Sequence, residues 1–149
     1  MKNLSSVFYM WVGLGLGVFS VLMMFVPFAR YDGVSTIAAR HMFWSVGQSG
    51  GAWPAFVGYM LILAGALMMG VMALPFIQPT ITAEKIVLIS SGALILIGAI
   101  LVGLISVEYP LLGGSFYSHL DYFHAGFYLT LVFALGAIAM DVIALVLDW

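Results

Sequence analysis

Long apolar runs alternate with short polar segments along the chain, and this pattern predicts four membrane-spanning helices. The clearest run extends from Ile86 to Ile105, where Ser90 and Ser91 are the only hydroxyl-bearing residues and no residue is charged. At about 1.5 Å of rise per helical residue, such a run covers the roughly 30 Å hydrocarbon core of a bilayer. Three other runs have the same character, so we predict spans at about 6–28, 54–74, 84–106 and 119–147.

The lengths of the connections predict how the spans are arranged. The link from Phe76 to Thr82 is short enough to make the second and third helices antiparallel neighbours. The predicted fold is therefore an all-α integral membrane protein, a single antiparallel four-transmembrane-helix bundle over residues 1–149. With an even number of spans, both termini and this link lie on one side, and the two longer loops lie on the other.

The charges at the two faces do not decide the orientation. Lys2 and Lys85 belong to the side with the termini, and Arg30 and Arg40 belong to the side with the longer loops. This is a tie under the rule that positive residues favour the cytoplasm. We expect cytoplasmic termini because the longer, aromatic-rich loops suit an outer face.

Local signals set the expected element boundaries. A short interfacial helix from Ser35 or Thr36 to Trp44 fits the first loop, and a pair of short strands between Val34 and Val46 fits it nearly as well. Thr82 is the expected N-cap of the third helix.

Composition narrows the functional classes. The chain is 64% hydrophobic and 7% charged, which is too few charges to cover a soluble globule of 149 residues. A net charge of −2 without a basic run argues against nucleic-acid binding. The absence of cysteine excludes disulfides and thiolate metal sites. The expected surroundings are therefore the lipid bilayer and other membrane proteins.

Pairs of small residues spaced four apart predict close helix packing. The spacing lets a second helix backbone approach, and it occurs once in each of the first three spans. The pairs are Gly13 with Gly17, Ala66 with Gly70, and Ala99 with Gly103.

A cluster of histidines and one carboxylate is the candidate metal site. Asp121 and His124, three residues apart, share a helix face, and His119 and His41 are expected at the same membrane edge. Imidazole and carboxylate ligands suit zinc, iron or copper, and His124 beside tyrosines would also suit a quinone head group. The expected state is without a cofactor, and a metal ion or a quinone at this cluster is the alternative.

Asp141 is the ionisable residue that lies clearly within a predicted span. A carboxylate at membrane depth needs a partner, and Lys85 enters the membrane from the same side. The pair predicts a polar contact between helices, and a proton or cation site is the alternative.

No nucleophile–base pair, phosphate-binding glycine loop or HExxH motif is present, so the sequence gives no positive support for catalysis. The favoured hypothesis is a non-catalytic accessory or structural subunit that packs in a larger membrane complex or self-associates. One alternative is a metal- or quinone-binding redox subunit that uses the histidine cluster. The other is an oligomeric channel or transporter.

Overall fold

Four long helices make up most of the computed structural model, which describes residues 4–25, 27–31, 35–38, 53–77, 80–103 and 125–148. Helix α1 is Leu4–Leu22, α2 is Trp53–Ala73, α3 is Ile81–Gly103 and α4 is Ala125–Asp148. Each contains a segment long and apolar enough to cross a membrane: Leu4–Phe25, Phe56–Ala73, Ile81–Gly103 and Tyr128–Leu147. The prediction of a helical, multi-pass membrane protein is confirmed at this level.

The end of the first apolar run differs from its prediction as a helix to about residue 28. Helix α1 stops at Leu22, and a 3-10 turn, Met23–Phe25, follows it. Strand β1, Pro27–Tyr31, then pairs antiparallel with strand β2, Ser35–Ala38. Pro27 lacks a backbone N–H and cannot continue a helical hydrogen-bond pattern, which suits a change of structure here.

The short interfacial helix predicted to start at Ser35 or Thr36 is wrong over β2. The strand alternative has the right kind of structure, although its first strand lies before Val34. The register joins Tyr31 to Ser35 and Pro27 to Ala38, with an irregularity between Pro27 and Ala29. Residues 39–52 lie outside the described part of the chain.

Thr80 begins the third helix in place of the predicted Thr82. The Thr80 hydroxyl oxygen accepts a hydrogen bond from the backbone N–H of Ala83 at 3.2 Å, and its carbonyl accepts one from Glu84 N–H at 3.0 Å. A side chain that accepts from the third helical N–H is the usual N-cap arrangement. The prediction placed the cap one half-turn too late, and Thr82 lies inside the first turn of α3.

Each helix packs mainly against two others, since α1 and α3 both contact α2 and α4, and a smaller contact joins α2 to α4. Large apolar side chains fill the space between the helices, together with buried alanines; the largest are Met10, Tyr59, Ile62, Met69, Leu88, Ile95 and Val102. Other large apolar side chains point away from it, including Phe8, Phe19, Leu67, Ile89, Val132 and Leu135. The interior thus combines apolar and small residues, and the outer faces are apolar along their length.

Candidate functional site in the membrane interior

The predicted small-residue faces of α1 and α2 meet each other. A Cβ atom added at Gly17 would lie 2.5 Å from Ala66 Cβ, and one added at Gly13 would lie 2.8 Å from Met69 Sδ. On α2, a Cβ added at Gly70 would lie 2.9 Å from Leu14 Cδ2. At Gly17 there is no room for a methyl group, because Ala66 Cβ cannot move without its backbone, whereas the neighbours of Gly13 and Gly70 are the ends of the Met69 and Leu14 side chains.

The third predicted pair has a different environment. Ala99 is buried at 6% exposure, whereas a Cβ added at Gly103 would lie 3.9 Å from Leu131 Cδ2, an ordinary contact distance. The closer approach of α3 to α2 occurs instead at Gly58 and Gly98, where a Cβ on Gly58 would lie 2.6 Å from the carbonyl oxygen of Gly98.

The contact between α2 and α3 follows a seven-residue spacing that the sequence reasoning missed. A Cβ on Gly65 would lie 2.7 Å from the carbonyl oxygen of Ser91. Gly58 and Gly65 are seven residues apart on α2, and their partners Ser91 and Gly98 are seven residues apart on α3. Residues seven apart lie on nearly the same face of a helix, so small residues at this spacing keep one face close to the neighbouring helix over successive pairs of turns. A search at spacing seven as well as four would have found this contact.

A hydroxyl cluster joins three helices near the strands. Ser20 on α1 donates a hydrogen bond to the carbonyl oxygen of Thr130 on α4 at 2.8 Å. The hydroxyl groups of Tyr59 on α2 and Thr130 are hydrogen-bonded to each other at 2.8 Å. All three side chains are fully buried. Because these side chains are fully buried, the bonds satisfy polar groups that would otherwise be costly to bury.

Two further serines hold pairs of helices together by the same means. Ser6 on α1 donates to the carbonyl oxygen of Ala144 on α4 at 3.2 Å, and Ser91 on α3 donates to that of Gly65 on α2 at 2.6 Å. Both serines are fully buried. Their hydroxyl hydrogens are therefore engaged with backbone oxygens.

Asp141 on α4 has a different environment from these hydroxyl groups. Its side chain is 2% exposed, and its atom Oδ1 is buried with no hydrogen-bond partner among the described residues. Its atom Oδ2 lies against α3, because a Cβ added at Gly92 would be 2.5 Å from it. Gly92 therefore provides the recess that the carboxyl group occupies.

The depth of Asp141 makes this environment costly for a charge. The residue lies six positions inside Leu147, where the apolar segment of α4 ends, or about 9 Å along the helix axis. An aspartate at the centre of a membrane helix costs about 2.5–3.5 kcal/mol on insertion scales. The polar contact between Lys85 and Asp141 stays a prediction.

The predicted metal cluster falls on residues that the structure does not describe. His41, His119, Asp121 and His124 all lie outside the described ranges, so the metal and quinone sites stay predictions. Among the residues that are described, no three His, Cys, Asp or Glu side chains are grouped as metal ligands.

No protein-family model, curated protein or solved structure matches this chain. Its function therefore has to be inferred from its own residues.

Proposed function

We propose that the chain is a non-catalytic accessory or structural subunit, an antiparallel four-helix bundle that assembles with other membrane proteins through its outer faces. The observation that carries the proposal is the distribution of side-chain size. Glycine and alanine lie at the closest helix contacts, hydrogen-bonded hydroxyl groups and larger apolar side chains fill the rest of the interior, and further bulky apolar side chains cover the outside. Surfaces available for recognition along the spans are then the outer ones, which suit lipid and the apolar faces of neighbouring helices.

The hydrogen bonds between α1 and α4 support the antiparallel arrangement. Ser6, near the start of α1, bonds to Ala144 near the end of α4, and Ser20 near the end of α1 bonds to Thr130 near the start of α4. This is the pattern expected of two helices that run in opposite directions. The short connection between α2 and α3 supports the same relation for that pair.

Site-specific photocrosslinking in native membranes tests the assembly. Benzoylphenylalanine is placed at Phe19 or Val132, which are 54% and 59% exposed, and at the fully buried Tyr59 as the control. We expect discrete crosslinked species from the two outer positions, identified by mass spectrometry as another membrane protein or a second copy, and crosslinks only within the chain from position 59. Lipid adducts alone from both outer positions, with a monomer after extraction in mild detergent, would contradict the proposal.

The channel or transporter hypothesis is favoured by one specific observation in the described part of the chain, the buried carboxyl group of Asp141 with its unbonded Oδ1. An ionisable residue in this position commonly marks an ion or proton pathway in membrane proteins. Replacing Asp141 with Asn should abolish any proton-dependent flux into proteoliposomes if this second function is correct, and unchanged flux would exclude it.

A further inference from the structure

We propose that Asp141 and Gly92 form a reversible proton-binding site in the membrane interior. The ligand is a proton held on the Asp141 carboxyl group, and the recess above Gly92 is the space that the protonated group fills. The proposal concerns a site and is independent of whether the chain assembles with a partner.

The carboxyl group of Asp141 is both buried and incompletely hydrogen-bonded. The carboxyl group is almost completely enclosed, and Oδ1 has no hydrogen-bond donor within the described ranges. A carboxylate in such a place would be shielded from bulk solvent and would have no hydrogen-bond donor on Oδ1, whereas a neutral acid carries no charge that needs stabilising.

The carboxyl group of Asp141 also lies against α3. A Cβ on Gly92 would meet Asp141 Oδ2 at 2.5 Å and Cγ at 3.5 Å. Only glycine lets the carboxyl group approach the backbone of α3 this closely, so the two residues are matched in shape. Loss of the proton would place a charge in this recess and favour separation of the carboxyl group from it.

The charged groups on the helices around α4 are the remaining candidates for a counter-charge to Asp141. Glu84 and Lys85 are on α3, seven or more residues before Gly92, or at least about 10 Å along its axis. The titratable residues on the described parts of α1 and α2 are Tyr9 and Tyr59, and Tyr59 is bonded to Thr130. Asp141 Oδ1 accepts no hydrogen bond from a cationic side chain on the described parts of these helices.

A metal cation fits the recess less well than a proton. Cations such as sodium or calcium require several oxygen ligands at once. The buried hydroxyl groups of Ser6 and Ser91 are donors to Ala144 and Gly65, and no three acidic or histidine side chains are grouped among the described residues. A metal cation at Asp141 would therefore have fewer than three acidic or histidine ligands among the described residues.

Infrared spectroscopy of the full chain in lipid tests the site, because a protonated carboxyl group and a carboxylate have separate stretching bands. Labelling aspartate with carbon-13 at its side-chain carboxyl shifts these bands without changing the sequence, which contains four aspartates. At neutral pH, we expect one labelled acid band. It should convert to a carboxylate band as the pH is raised, shift in D₂O, and be insensitive to sodium or potassium at constant pH.

Three variants assign the band. Asp141→Asn should abolish it, Glu84→Gln should leave it unchanged as a matched control on a second buried acid, and Gly92→Ala should shift it. A carboxylate band for Asp141 at neutral pH would overturn the proposal. So would an acid band that neither titrates nor shifts in D₂O, since that describes a sealed structural group, or one that disappears on addition of sodium. If Asp141→Asn does not fold, Asp141→Glu assigns the band instead, because it keeps a carboxyl group in the recess and should remove the acid band of the labelled aspartate.

Discussion

At the scale of single residues, the start of α3 shows how a local hydrogen bond fixes a helix boundary. The Thr80 hydroxyl accepts from the N–H of Ala83, one of the N-terminal amide groups that has no partner inside the helix. Thr82, two residues later, is exposed and already lies inside the first turn of the helix. The two threonines therefore make a matched pair.

Replacing Thr80 with Ala should lower the free energy of unfolding by about 1 kcal/mol, the usual cost of removing an N-cap side chain. Replacing Thr82 with Ala should change it by less than about 0.5 kcal/mol, as for a surface substitution away from such features. Reversible unfolding in mixed detergent micelles measures both values. Equal losses for the two variants, or a larger loss for Thr82→Ala, would show that the helix begins where the sequence first suggested.

For single residues, the sequence predicts which polar groups lie in the membrane interior but does not predict which residues they contact. Asp141 is recognisable as a carboxyl group within an apolar run, but Gly92 as its neighbour is not, because that contact depends on the rotation of two helices about their axes. The bond between Tyr59 and Thr130 joins positions 71 residues apart. Single polar residues in apolar runs can be found from the sequence, whereas their partners require the packing.

At the scale of elements, glycine determines how closely α1 and α2 approach. Gly17 faces Ala66 with no room for a Cβ, while Gly15, two residues away on the same helix, has nothing within 4 Å of the place where a Cβ would be. The two positions share helix, depth and residue type, and they differ in whether the helix contact occupies them.

Gly17→Ala should destabilise the protein by about 1–3 kcal/mol, because the added methyl group overfills the contact with Ala66. Gly15→Ala should be neutral or slightly stabilising, since alanine has the better helix propensity and meets no neighbour. Unfolding in mixed micelles compares the two variants. A loss for Gly15→Ala as large as that for Gly17→Ala would mean that helix propensity or lipid contact, and not the seam with α2, governs the cost.

The elements also show what the hydrophobic pattern can predict and what it misses. Uninterrupted apolar runs of about twenty residues predict spanning helices well, because no other regular structure within one such run satisfies its own backbone in lipid. The segment after Leu22 lacks that constraint. There the run gives way to a 3-10 turn and a strand, and periodicity over so few residues does not separate a helix from a strand.

At the scale of the whole molecule, the central claim is that four helices cross a membrane and enclose a closely packed interior. The chain has no cysteine, so single cysteines can be introduced without a background. Phe76, 75% exposed, lies in the connection between α2 and α3, Ser49 lies in the sequence between α1 and α2, and Ile95 is fully buried.

The most direct test of the four-span arrangement is cysteine labelling with a membrane-impermeant maleimide, in intact cells and in permeabilised cells. The variants are Phe76→Cys, Ser49→Cys and Ile95→Cys. Four spans with cytoplasmic termini predict that the cysteine at position 49 reacts in intact cells, that the cysteine at position 76 reacts only after permeabilisation, and that the cysteine at position 95 reacts in neither. Reversed reactivity of positions 49 and 76 would contradict the orientation alone. Reaction of both from the same side, or rapid reaction at position 95, would contradict the four-span arrangement itself.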